Sequence, residues 1–221
     1  MHRKSLLLAA CLSFALASPA IAQNVTGSGI APATVPNSAE RPIGFAATAS
    51  AGGALVVLMA DANLPEPGGI PLGAAERQAA SAAIASASFD GKAGSTLSLR
   101  GIGAFSRILL VGTGTAPTAL ALAEAGGKAA QELKSEAHPV TIAGASNDAS
   151  AADVAYGFAL GQYRFDRYQT VGRKTPPTGA VTILTANPAA AEAAFAGRGK
   201  PLADGVRLSR DLANEPANVL Y

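Results

Sequence analysis

The sequence predicts a mixed, mainly parallel α/β sheet flanked by helices. Three observations lead there. Short β-type runs alternate with longer helix-type runs from Ile43 onward, the pattern of a sheet with crossover helices. The run Ala54-Leu55-Val56-Val57-Leu58-Met59 is continuously apolar, as a strand covered on both faces requires. The chain is 49% hydrophobic, with 24 Gly and no Trp, so its interior should be a small-residue helix–sheet contact and not an aromatic core.

Taken in order, residues 1–22 read as a targeting segment. His2-Arg3-Lys4 is a positive start, Leu6 to Ala17 an apolar stretch, and Ala20-Ile21-Ala22 an A-x-A cleavage site before Gln23, the three parts of an export signal. Cleavage after Ala22 and an exported, periplasmic or secreted location are the expectation. Leu8 to Cys11 resembles a lipobox that would acylate Cys11, but half an apolar region precedes it, so simple cleavage is the preferred reading. Arg3 and Lys4 leave with such a leader, which evens the 17 basic residues of the whole chain with its 15 acidic ones. A neutral chain carries no basic footprint for nucleic acid, and without the leader no membrane attachment is expected. Cys11 is the only cysteine, so no disulfide is expected.

Residues 23–42 are punctuated by Gly27, Gly29, Pro32, Pro36 and Pro42 and read as a flexible linker. Roughly 180 residues follow, one ordinary domain. Ile43–Thr48 and Ala54–Met59 are strands, with Ser50 to Gly53 between them as a hairpin turn. Ala74–Ser88 is an Ala-rich helix. Thr96–Arg100 and Arg107–Val111 are strands around Gly101-Ile102-Gly103. Thr118–Ala137 is a helix, Pro139–Ala143 a strand. Ala151–Tyr168 is a helix whose stripe Val154, Phe158, Gly161, Phe165 and Tyr168 keeps a 3.6-residue period. Ala180–Thr185 is a strand and Ala189–Ala196 a short helix. The last helix starts at Leu202, with Leu202, Val206, Ser209 and Ala213 on one stripe and Leu212 beside it. Pro216 stops it near Asn214.

Candidate sites are few. Ile108 to Thr115 is a strand running into Gly112-Thr113-Gly114, which could cradle a phosphate; Pro117 stands where a third glycine is needed, so a plain turn is the better reading. Gly126-Gly127-Lys128 lies inside a helix pattern with no strand before it. His138 precedes Pro139 at a helix–strand junction, and one histidine makes no metal site. Arg164, Asp166 and Arg167 read as helix charges without face-to-face pairing. Asp204, Arg207 and Asp211 are spaced for pairs along one face of the last helix. No G-x-S-x-G, H-E-x-x-H or Cys–His arrangement exists. The expected site inventory is therefore empty: no catalytic, cofactor-binding or metal residue.

Two segments carry a family resemblance. Leu208 to Tyr221 reads L-S-R-D-L-A-N-E-P-A-N-V-L-Y, and Tyr163 to Tyr168 reads Y-R-F-D-R-Y. The first resembles the segment joining the two domains of leucyl (cytosol) aminopeptidases, at Arg210, Asp211, Leu212, Asn214, Pro216, Asn218 and Leu220. Ala217 departs from the usual second proline. The second is similar to the family's Y-R-F-D-x-Y. The resemblance covers roughly Ile43 to Tyr221. It implies a three-layer, macro-domain-like fold, with residues 43–200 as the N-terminal domain and 201–221 as the start of an interdomain linker helix. It also implies a metallo-exopeptidase whose two divalent ions (zinc, manganese or magnesium) and catalytic residues lie in another domain. This chain's own catalytic domain and further copies, as hexamers, are the implied partners. The rival readings are a standalone macro-like module that binds ADP-ribose at Gly112–Gly114, or a non-catalytic oligomer partner.

Overall fold

The computed structural model describes residues 36–49, 52–66, 69–217 and 219; the leader-like segment, Cys11, Ser50, Ala51, Asn218, Leu220 and Tyr221 lie outside them. The elements are β1 (Ile43–Ala46), β2 (Gly53–Met59), α1 (Ala74–Ser86), β3 (Thr96–Leu99), β4 (Phe105–Gly112), α2 (Ala119–Glu132), β5 (Val140–Ala143), α3 (Asp148–Gly161), β6 (Val181–Leu184), α4 (Pro188–Ala194) and α5 (Lys200–Asn214). They form one six-stranded sheet in the order β1-β6-β5-β2-β4-β3. Every pairing is parallel except β3 with β4.

The mainly parallel sheet expected from the sequence is present, and it is flanked by helices. Along β2, Ala54, Val56 and Leu58 point into one core with α2, α3, α4 and the start of α5. Leu55, Val57 and Met59 point into a second core with α1. Two-sided burial is why this strand reads as an unbroken apolar run.

The hairpin expected between the first two strands is not there. β1 pairs in parallel with β6, two strands away from β2. A single apolar strand has no local signal for its neighbour, so adjacency in the chain was the wrong guide.

Helix starts follow local chemistry. Thr118 caps α2 by accepting from Ala121 N at 3.2 Å. Asn147 caps α3 through Ser150 N at 2.8 Å, so that the helix starts at Asp148, three residues before the start read from periodicity. Asn187 caps α4 through Ala190 N at 3.2 Å, with Pro188 in its first turn. Each satisfies a backbone donor the helix cannot.

Between α4 and α5 the chain does not break. Phe195–Gly199 is a single π turn that carries one helix into the next. Pro201 follows in the first turn of α5. It has no N–H and its ring crowds the preceding turn, which a widened turn accommodates. A Cβ on Gly199 would sit 2.7 Å from the Phe195 ring, so glycine lets that buried ring fold back on the helix.

α2 and α3 cross almost backbone to backbone. A Cβ on Gly126 would lie 2.1 Å from Val154 O, and one on Gly157 1.7 Å from Ala123 O. The Gly126-Gly127 pair is thus a helix-packing device, and Lys128 beside it has no phosphate-binding frame.

Candidate functional site

α3 ends at Gly161, seven residues before its apolar stripe does. The Gln162 side chain turns to the chain before β1, accepting from Arg41 N at 3.0 Å and donating to Arg41 O at 3.3 Å. Residues 163–168 then run as an irregular turn. Arg164, Asp166 and Arg167 therefore sit on a turn and not on a helix. The periodic spacing of Phe165 and Tyr168 is coincidental to it; these rings pack on each other at 5.7 Å.

That turn is locked from two sides. From the segment before β1, Asn37 Oδ1 accepts from the N–H groups of Asp166 and Arg167 at 3.1 and 3.2 Å. Ser38 donates to Asp166 through its N–H at 2.7 Å and through its hydroxyl. Arg173 pairs with the same carboxylate at 3.2 Å. From α5, Asp211 accepts from Tyr163 at 2.8 Å and from Asn37 Nδ2 at 3.0 Å. Glu215 pairs with Arg167 at 2.7 Å and accepts from the Tyr168 hydroxyl. Arg210 donates to Leu160 O at 3.0 Å and lies over the Tyr163 ring. Arg207 pairs with Glu40, which lies in the segment read as linker. Residues 36–41 are thus part of the domain's packing.

The electrostatics suit a fixed network. Burial pushes the Asp166 carboxyl up, but the Ser38 hydroxyl and N–H and the Arg173 cation outweigh it and hold it below the ordinary range. Burial, then the hydrogen bond to Asp211, raises the Tyr163 phenol, which keeps it a donor. The Glu40 hydrogen bond, against burial, raises Arg207.

α5 is turned inside out. Its charged side faces the domain, while Leu202, Val206, Leu208 and Leu212 are 48%, 36%, 61% and 51% exposed. Of its side chains only Ala203 is buried. The pair expected between Arg207 and Asp211 does not form; Asp204 pairs with Arg207 at 2.6 Å, and Asp211 serves the turn instead.

The remaining sequence candidates are structural. The N–H groups of Gly112, Thr113 and Gly114 donate to Ser95 O, Met59 O and Gly91 O at 2.9, 2.8 and 3.0 Å. All three donors a phosphate would need are taken, so this is a β–α turn. His138 is exposed and its Nδ1 contacts Glu136 at 2.7 Å. Among the described residues no group of three or more His, Cys, Asp or Glu could hold a metal ion, so the donors present do not fit the implied pair of ions. No helix among them is long and apolar enough to cross a membrane.

The turn and α5 are the two segments whose spelling resembles the aminopeptidases, and they hold each other. Comparison with known proteins agrees. The pattern of the cytosol aminopeptidase family's N-terminal domain matches residues 56–171, more than half of the chain. The chain belongs to the cytosol aminopeptidase family. It is 36% identical over 201 residues to a probable cytosol aminopeptidase of Rhodopseudomonas palustris, covering 81% of this chain and 38% of that protein. It is 38% identical over 151 residues to one from Bradyrhizobium sp., covering 63% and 30%. Among solved structures, a mutant of tomato leucine aminopeptidase superposes with a TM-score of 0.67 at 25% identity, over 83% of this chain and 40% of that one. The bottromycin maturation enzyme BotP, in complex with Mn, shares the fold at a TM-score of 0.50 and 23% identity, over 78% and 33%. The chain thus spans well under half the length of these relatives.

The relatives' name corrects the expectation of export. Proteins aligned over most of this chain are called cytosol aminopeptidases, which points to the cytoplasm. The A-x-A site was a weak signal in so alanine-rich a chain: Ala85-Ser86-Ala87 and Ala119-Leu120-Ala121 have the same form inside or beside helices.

Asn37, Ser38, Glu40 and Arg41 are the seam residues that sequence reasoning missed. A short polar stretch between prolines carries no periodicity, and its partners lie 95 or more residues away.

Proposed function

We propose that this chain is the non-catalytic N-terminal domain of a leucyl-aminopeptidase-like metallo-exopeptidase, which removes N-terminal residues from peptides. Residues 43–200, with 36–41 packed against them, make the domain, and 201–221 begin the linker helix that leads to the catalytic domain. The observation that carries this reading is the orientation of α5. A helix that spends its charges on its own domain and leaves four large apolar side chains outward suits burial under a second domain.

The role of this part is architectural. The seam fixes where α5 lies, and so where the next domain is delivered. The two divalent ions belong to that other domain; when bound there they would polarise the scissile carbonyl and activate water. Self-association into hexamers is part of the proposal, as is a cytoplasmic location in line with the relatives' name.

The test is an activity comparison. The 221-residue chain alone should release no leucine from a chromogenic leucine amide with zinc, manganese or magnesium added. The same chain joined to the catalytic domain of a relative should do so. Turnover by the 221-residue chain alone would overturn the assignment of a non-catalytic role.

A further inference from the structure

Beside the seam lies a groove of about 450 Å³ lined by Arg41, Lys134, Arg164 and Lys174. These four cations come from separate parts of the fold. Lys134 follows the end of α2, Arg164 sits on the turn after α3, Lys174 precedes β6 and Arg41 precedes β1. Arg164 donates to Lys134 O, which brings the guanidinium to the end of α2. Arg41 is 6% exposed and donates to the carbonyls of Glu136, His138 and Gly179. Burial lowers its pKa, Glu136 opposes, and the charge of Arg164 lowers it further.

None of the four has an ion-pair partner among the described residues. The groove does contain two carboxylates, Glu40 and Asp166. Both are taken by cations that do not line it, Arg207 and Arg173. The lining carboxylates are neutralised from behind, while of the lining cations only Arg41 has a nearby carboxylate, Glu136, acting on it. Like charges gathered in a concavity repel one another and concentrate potential there.

We propose that this groove binds a small, multiply charged anion of the oligophosphate class. Its charge would span Lys134, Arg164 and Lys174. A small anion fits better than a nucleic acid because the positive potential is local. The chain as a whole carries a formal charge of only +2, without the extended basic stripe that a phosphate backbone follows. Binding would tie the end of α2, the seam turn and the segment before β6 together. The proposal does not depend on catalysis, so its test is independent of the aminopeptidase reading.

The experiment is calorimetric titration of the 221-residue chain with tripolyphosphate at low salt. Saturable binding is expected, weakened by added salt. Lys134→Glu with Lys174→Glu should weaken it at least about tenfold by reversing two of the charges. Both side chains are exposed, so the melting temperature of the free variant should not fall. Lys134→Arg with Lys174→Arg should bind within about threefold of the parent, since charge is kept. Arg164→Gln gives a second, milder loss by removing a third charge. No saturable heat from the parent chain would overturn the proposal, as would an unchanged Kd in the double reversal. Duplex DNA that binds through the same lysines and is not displaced by tripolyphosphate would overturn it in favour of a nucleic-acid surface.

Discussion

Two helix contacts in this domain are built in opposite ways. α2 meets α3 through Ala123, Gly126, Gly127, Gly157 and Gly161, with backbone against backbone and no room for a Cβ at Gly126, Gly157 or Gly161. α5 meets the rest of the domain through Arg207, Arg210, Asp211 and Glu215, with charges and hydroxyls reaching across. The first contact is sterically tight: a Cβ added at Gly126, Gly157 or Gly161 collides with the facing helix. The second is partly solvated and made of interactions that are individually worth about 0–1 kcal/mol. The first therefore belongs to the permanent core. The second sets direction more than it supplies stability, as befits an element that leads out of the domain with its apolar side uncovered.

The difference can be broken most strongly at the crossing. Gly157→Leu should cost about 3 kcal/mol or more, since the backbone of Ala123 cannot yield as a side chain does; urea denaturation reads it directly. A near-neutral result would mean that α2 and α3 slide freely, and the contrast would fall. In the seam the largest loss is expected at its buried carboxylate. Asp166→Ala removes the acceptor for Ser38 and the ion pair with Arg173 and should cost about 2 kcal/mol. Hydrogen exchange should show faster opening of residues 36–41 and of the 163–168 turn, with α2 and α3 protected as before.

Acid sharpens the comparison further. The Asp166 carboxyl is held below its ordinary value in the folded state. Its contribution is present above pH about 4 and is lost as pH falls through the depressed folded value. The small-residue crossing has no titratable group at its contact. Acid titration should loosen the seam turn before α3 loses protection, which hydrogen exchange at stepped pH would read; simultaneous loss would refute the separation. The smallest stability effect belongs to the outward face of α5. Leu208→Gln with Leu212→Gln should change the unfolding free energy by no more than about 0.5 kcal/mol, while light scattering shows less self-association of the isolated chain. A large loss of stability there would mean that these leucines are packed after all.

Much of the sheet was legible, and for one reason. β2 and the second half of β4 are continuously apolar because both faces are covered, and such a run between turn signals needs no distant information to be recognised. The caps at Thr118 and Asn187 are local in the same way. The site was half legible. The spellings of Tyr163–Tyr168 and Arg210–Pro216 marked both halves of the seam, but spacing gave the charges of the first no partners and paired Asp211 with Arg207. Helix geometry favours neighbours three and four residues apart; Asp211 instead found Tyr163 and Asn37, 48 and 174 residues away.

The sequence by itself determined the class of fold, the small-residue character of the core and the kinship of the two seam segments, because each is written in contiguous residues. Only the tertiary structure decided that β1 lies beside β6, that α3 stops at Gly161 and that α5 shows its leucines to solvent. Those outcomes depend on which surfaces meet. An amphipathic stripe states that a helix has two different sides, and the partners available to its charges settle which side faces in.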